Sequence, residues 1–428
     1  MKILLTGASG FIGQHLLMEL INAKHQVIAC CRNPQRLRQR FPEVVVLSAD
    51  YSNMTDVTDW LPYLHNVVIV INAVGIIQES AKQSFANLHA NAPIALFQAC
   101  EAVGTKVIQI SALDAGSQQA TRYHASKGIA DELLQSLAID WFIFRPSIVY
   151  GSGAKSMALF RALAALPVIP LVSDGKQQIQ PVYIDDLVAA ILRCVNDQRP
   201  TRQVVNAVGP QPIAFVDLME KLGQWLGKVK VHTLPSPAWT VPLLAPLGRL
   251  IGEPALNRES IAMLQHGNTA DVEPFANHLG YLPKHIDQVL QHTIPTQADR
   301  WHAYLYFMKP TLRFAIAVVW LWAGCVSAFV YPLENSYQML AQVGISATHA
   351  PIVLYSASAL DFALGIALLL NWRLRQVIYA QIAIMLIYSV VISITLPEYW
   401  AHPFGPMIKN LPLLVALLIL LILEEQKP

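Results

Sequence analysis

Tyr123 and Lys127 stand four residues apart in Tyr123-His-Ala-Ser-Lys127. On a helix that spacing puts both on one face. A neighbouring ammonium favours a phenolate, so the pair predicts a tyrosine pKa below its ordinary value of about 10. Such a tyrosine exchanges a proton with a carbonyl or an alcohol while hydride moves elsewhere. Ser111 lies twelve residues before Tyr123, at the end of a short apolar run. Its hydroxyl is expected to hold a substrate oxygen against Tyr123. His124 is expected to point off the shared face, on the surface. A Tyr-x-x-x-Lys match arises often by chance, so its weight depends on what else the chain carries.

What else it carries begins at the first residues. Lys2-Ile-Leu-Leu-Thr6 reads as a strand that runs into Gly7-Ala-Ser-Gly-Phe-Ile-Gly13 and then a helix. Gly7 permits a tight turn, Gly10 lets backbone approach a pyrophosphate, and Gly13 lets the helix pack on the sheet. Ser9, Phe11 and Ile12 complete the loop, and the helix N-terminus offers free N–H groups to phosphate. A dinucleotide is the expected cofactor. The second strand ends Cys30-Cys-Arg-Asn33, without the Asp or Glu that binds the ribose 2′-OH of NAD. Arg32 stands there instead, suited to a 2′-phosphate, so NADP is expected, with NAD the alternative. Asp50 and Tyr51, after the third strand, are expected beside the cofactor, Asp50 at the adenine amino group with a capping or turn role as its rival.

These residues need a scaffold. Ile3–Leu5, Val27–Cys31, Val44–Leu47, Val67–Ile71, Val107–Ile110, Trp141–Phe144 and Val204–Asn206 are short runs rich in Val and Ile. They read as strands. Helical segments at Gly10–Asn22, Pro93–Val103 and Arg122–Ser136 alternate with them. The alternation predicts an α/β fold, a doubly wound parallel sheet of Rossmann type with helices on both faces. After Gly151 the pattern loosens into helices at Ser156–Leu166, Val216–Leu226 and Ile286–His292, read as a small substrate lobe. Pro235–Leu256 could be a helix lying on a membrane face or a lid of the lobe.

Taken with the glycine turn and Ser111, the Tyr123–Lys127 pair resembles the short-chain dehydrogenase/reductase superfamily in its extended or atypical branch. Asn72-Ala-Val-Gly75 is similar to the strand end that walls the cofactor there, although Val74-Gly75 departs from the strict form. Arg145-Pro-Ser-Ile-Val-Tyr-Gly151 and Pro181-Val-Tyr-Ile-Asp-Asp-Leu187 look like segments of the extended members. The resemblance covers about residues 1–295 and implies that Asn72, Ala73, Val74, Gly75, Tyr123, Lys127, Pro146 and Ile148 line the cofactor. It implies catalytic roles for Ser111, Tyr123 and Lys127, with Lys127 also holding the nicotinamide ribose. The chain looks most like the branch containing the dehydrogenase-like accessory subunit of respiratory complex I. Several members of that branch have lost the Tyr or the Lys and bind nucleotide without turnover; this chain keeps both.

The last third is different. Hydrophobic residues make up 54% of the chain and charged residues 14%, against about 25% charged in soluble domains. The excess lies in apolar segments at about 312–331, 351–372, 376–396 and 407–423, which predict a four-helix transmembrane bundle. It is similar to DoxX-like membrane domains. Trp301, Tyr304, Tyr306 and Phe307, interleaved with Arg300 and Lys309, suit the headgroup layer. Arg300, Lys309, Arg313, Arg373 and Arg375 flank one side of the spans; loops 332–350 and 397–408 carry no Lys or Arg, and Lys409 is the dissenter. No signal peptide is read at the start. The expectation is an integral protein of the inner (cytoplasmic) membrane with the N-terminal domain and C-terminus cytoplasmic. Asp361, inside the second span, is a functional candidate or a buried partner between helices.

The expected domains are 1–150 (nucleotide-binding core), 151–298 (lobe and completion of that domain) and 299–428 (membrane). A net charge of +2 without a basic run gives no reason to expect nucleic acid. Five scattered cysteines give no zinc spacing, and no metal site is expected. The expected function is a membrane-anchored NAD(P)-dependent oxidoreductase acting on an apolar, lipid- or quinone-related small molecule. The alternatives are a non-catalytic nucleotide-binding assembly or regulatory subunit, and an epimerase or isomerase. The bilayer is the expected partner, and oligomerisation is left open.

Overall fold

Seven runs rich in Val, Ile and Leu pair into one parallel sheet: β1 (Lys2–Thr6), β2 (Gln26–Cys31), β3 (Val45–Ser48), β4 (Ile69–Asn72), β5 (Lys106–Ile110), β6 (Trp141–Pro146) and β7 (Gln203–Ala207). All seven expected strands are present, in the order β7-β6-β5-β4-β1-β2-β3. The computed structural model describes residues 1–80, 82–116, 121–196, 202–237 and 258–425.

Both faces of the sheet are covered, which is why its strands are apolar throughout rather than alternating. Ile3, Leu5, Ala29, Cys31, Ile69, Ile71, Ile108, Phe142 and Phe144 point to one side. There they pack on α1 (Phe11–Asn22) and on α5 (Ile184–Asn196), through Leu16, Leu20, Leu187 and Ile191. Leu4, Ile28, Cys30, Val70, Val107, Trp141 and Ile143 point to the other side. They meet α2 (Ala92–Val103) and α3 (Arg122–Ser136), through Leu96, Phe97, Ala130 and Leu134. Cys30 and Cys31 thus face opposite sides, as neighbours on a strand must.

A third core joins α4 (Lys155–Ala165) to α6 (Phe215–Trp225) through Met157, Ala164, Phe215, Leu218 and Leu222. This is the lobe beside the sheet. Of the Pro235–Leu256 stretch, Pro235 and Ser236 end a strand (Thr233–Ser236) pairing with Ile169–Val172. Residues 238–256 lie outside the described residues.

The described residues through Tyr304 form one compact unit and those from Leu305 a second. In the second, three helices are long and apolar enough to cross a membrane. They are α7 (Met308–Cys325, continued by a π-turn to Val330), α9 (Ala350–Leu369) and α10 (Leu374–Thr395). The fourth apolar helix, α11 (Asn410–Glu425), is shorter. The first begins earlier than expected, because Lys309 and Arg313 find partners at the helix end. Lys309 Nζ donates to Leu423 O at 2.9 Å and lies 3.2 Å from Glu424 Oε1; Arg313 donates to Asn371 Oδ1 at 2.9 Å. The stretch 332–350, read as a loop, contains α8 (Leu333–Gln342).

Candidate active site

The site is built where β1, β4 and β5 end beside α1 and α3. At its base is a buried polar knot. Asn72 Oδ1 accepts from Thr6 Oγ1 at 2.7 Å and from Tyr51 OH at 2.9 Å. Asn72 Nδ2 donates to Gln109 Oε1 at 2.7 Å. Buried polar groups require such partners, and here they tie three neighbouring strands together. The knot turns the Asn72 side chain inward, and Ala73, Val74 and Gly75, expected to wall the cofactor, follow it. Tyr51, expected beside the cofactor, spends its hydroxyl on this knot. Asp50 is exposed and its Oδ1 accepts from Ser52 N at 3.0 Å, the turn role that rivalled adenine contact.

The glycine turn follows β1. Gly7 has φ +68°, and a Cβ there would stand 2.7 Å from the Ala73 carbonyl carbon. Gly13 lies so close to the turn that a Cβ would stand 2.1 Å from Gly7 O. α1 is therefore held against the end of β1. Its N-cap is Gly10, and no side chain caps its first turn. Such a terminus, with its dipole and unclaimed amides, fits a pyrophosphate. Ser9 is exposed beside it; Phe11 and Ile12 are half-buried. Arg32 is exposed immediately after β2. Pro146 is buried and Ile148 half-buried, on the far side of the sheet's central strands.

α3 carries Tyr123 and Lys127. Thr121 caps it, accepting from His124 N at 3.3 Å. Lys127 is buried, and its Nζ donates to Val74 O at 3.0 Å and to Ile110 O at 3.2 Å. Burial brings the Lys127 amine down to about 8. The Tyr123 phenol goes the other way: burial pushes it up to about 12. The expected depression is thus reversed, because the lysine is directed at two carbonyls while the phenol sits among rings. Tyr123 meets Phe85 edge-on at 6.0 Å and His89 at 5.4 Å.

Ser111 also differs from expectation. Its hydroxyl donates to Asp131 Oδ2 at 2.8 Å rather than standing against Tyr123. Asp131 is fully buried and also takes Arg145 Nε at 3.0 Å. A buried carboxylate needs donors, and Ser111 is the nearest hydroxyl on the adjoining strand end. Burial raises the Asp131 pKa from its ordinary range, and Arg145 counters it. His124, expected on the surface, is 8% exposed, with Nδ1 2.7 Å from Thr121 Oγ1.

Asp131 and His89 were not singled out from the sequence. Asp131 had a signal: it continues the four-residue spacing of Tyr123 and Lys127 along one helix face. His89 had none, because a π-turn (Ala86–Asn91) delivers it. Its Nε2 accepts from Ile76 N at 3.0 Å, so the ring proton is on Nδ1, 3.0 Å from Ser126 Oγ. Ser126 in turn donates to Tyr123 O at 2.8 Å. Burial, with Lys127 nearby, holds His89 well below the usual histidine range, hence neutral.

A seven-stranded parallel sheet, a glycine turn into α1 and a Tyr–Lys helix define a nucleotide-binding domain of the short-chain dehydrogenase type. Comparison with known proteins places it more closely. Residues 3–207 match the NAD dependent epimerase/dehydratase family and residues 317–418 the DoxX-like family; the chain carries a domain of each. It is 26% identical to a ceramide reductase of Caulobacter vibrioides over 44% of this chain and 59% of that one. It is 24% identical to NADH dehydrogenase (ubiquinone) 1 alpha subcomplex subunit 9, mitochondrial, of Mus musculus over 50% of this chain and 58% of that one. The chain thus spans less than two thirds of the length of either relative. A 2-alkyl-3-oxoalkanoate reductase of Stenotrophomonas maltophilia is 24% identical over 66% of this chain and 95% of its own. Among solved structures, an NADPH-dependent quinone oxidoreductase of Escherichia coli in complex with NADPH aligns with TM-score 0.55 at 18% identity, over 68% of this chain and 99% of its own. At that identity the likeness shows the fold alone. NAD or NADP is the nucleotide that the family and the structural neighbours share.

Proposed function

We propose that the N-terminal unit is an NADPH-dependent reductase of a carbonyl on an apolar, membrane-borne molecule. The observation that carries the reading is Lys127 Nζ on the Val74 carbonyl, one helical turn from Tyr123. It joins the acid–base pair to the wall beside the nucleotide cradle. Bound nicotinamide would supply or accept hydride. Gly7, Gly10 and the first turn of α1 would hold its pyrophosphate, and Arg32 a 2′-phosphate. A phenol near 12 is protonated at neutral pH, so Tyr123 starts as the proton donor that a carbonyl reduction needs. Phe85 and His89 hold its ring, and neutral His89 fixes the helix turn that bears it. The fused apolar helices support a substrate drawn from the bilayer, and the basic residues beside them support a cytoplasmic N-terminal unit and C-terminus.

The test is Tyr123→Phe in the full chain. NADPH binding should survive, while lipid-dependent NADPH oxidation should fall by about 10²–10⁴-fold. Unchanged function would instead favour the nucleotide-binding assembly subunit, a reading supported by Ser111 being tied to Asp131 rather than free for substrate. Net NADPH consumption separates the reductase from an epimerase. Arg32→Glu should weaken NADPH binding by about tenfold or more with little change for NADH; equal losses for both would remove the preference for NADP.

A further inference from the structure

Three buried side chains of the membrane unit carry polar atoms that the described residues leave without partners. Gln381 on α10 is fully buried, and neither its Nε2 nor its Oε1 has a hydrogen-bond partner among the described residues. The same holds for Asp361 Oδ1 on α9 and Trp320 Nε1 on α7, residues 9% and 7% exposed. All three stand on inward faces. Gln381 shares one with Ile378 and Met385, Asp361 with Leu364 and Leu368, and Trp320 with Ile316 and Ala317.

They also stand within about one helical turn of the same depth. α9 and α10 are joined by Leu370–Arg373, so they form a hairpin. Asp361 lies eight residues before the end of α9 and Gln381 seven after the start of α10. At about 1.5 Å per residue both sit roughly 10–12 Å from the connection. The register of α7 on α9 is fixed by two close approaches. A Cβ on Gly324 would stand 3.3 Å from Asp361 Cβ, and one on Gly365 would stand 2.7 Å from Leu321 Cγ. Trp320 is next to Leu321, about one turn from the Gly324–Asp361 level.

A buried amide with no partner is costly, and water is not at hand within a bilayer. We propose that Gln381, Asp361 and Trp320 form a binding site for the neutral polar head of a membrane-borne amphiphile, specifically a hydroxyl on an apolar chain. Gln381 Nε2 and Trp320 Nε1 donate; Gln381 Oε1 and Asp361 Oδ1 accept. A hydroxyl answers both, whereas a carbonyl or ether only accepts. An anionic head finds no cation at this depth, since no Lys or Arg stands in residues 314–372 or 376–408. The proposal stands apart from the reductase reading, because it concerns binding and needs no nucleotide.

The experiment uses the full chain in phosphatidylcholine vesicles. The probe is a long-chain primary alcohol with a photoreactive diazirine beside the hydroxyl, read by peptide mapping. Saturable labelling around Trp320, Asp361 and Gln381 is expected. Unlabelled alcohol should compete, and the alkane and methyl ether of equal length should not. Gln381→Leu should reduce labelling by about tenfold or more. Trp320→Phe keeps the ring and loses only the N–H, so it decides the matter should the glutamine variant fail to fold; it should reduce labelling severalfold. Labelling spread over lipid-facing residues, competition by the alkane, or folded variants that label like the parent chain would overturn the proposal. The last result would assign these groups to trapped water.

Discussion

At the scale of single residues, the centre of the site is set by desolvation more than by sequence spacing. Tyr123 and Lys127 were recognisable from their separation, but their protonation was not. Spacing predicted a depressed phenol; burial raises it, and the same burial lowers the lysine. This gives a signed prediction. The unfolded chain keeps the Lys127 proton up to about 10.5, whereas the native chain releases it above about 8. More protons on the unfolded state mean stability that rises with pH across that window. The cost of the buried ammonium is therefore fully present below about pH 8 and relaxes towards about 10.5. Lys127→Met should flatten this rise in denaturation midpoints of the nucleotide-free chain. A rise that persists unchanged in the variant would show that another group carries it.

At the scale of elements, the strands and the glycine turn were legible because they depend on local pattern. Buried parallel strands read as continuous apolar runs, and all seven were found within a few residues of their ends. The π-turn bearing His89 was not legible, since nothing local marks a register slip in a helix. The close fit of α1 against the turn after β1 also yields a test. A Cβ on Gly13 would meet the Gly7 carbonyl at 2.1 Å, backbone against backbone, so α1 must retreat. Gly13→Ala should cost about 1–3 kcal/mol of stability and weaken NADPH binding, measured by unfolding and by nucleotide titration. A variant of parental stability and affinity would show that α1 has slack here.

At the scale of the whole molecule, two separately packed units share one chain, and the basic residues predict which side each end occupies. Ala347, exposed between the first and second spans, should label from outside intact cells as Ala347→Cys with a membrane-impermeant maleimide. Val229, the most exposed large apolar residue among the described residues of the first unit, should label as Val229→Cys only after permeabilisation. The native cysteines are buried or half-buried, which keeps the background low. The reverse pattern would invert the orientation.

The sequence by itself determined the fold class, the glycine turn, the Tyr–Lys helix and the apolar spans. Each is a local periodicity or run length, written in contiguous residues. Tertiary structure alone decided that Ser111 serves Asp131, that Lys127 serves two carbonyls, and that Gln381 comes within about a turn of the level of Asp361 and Trp320. Those pairings join residues far apart in the chain. Their energies depend on how completely water is removed when helix and strand faces close, and no stretch of sequence records that.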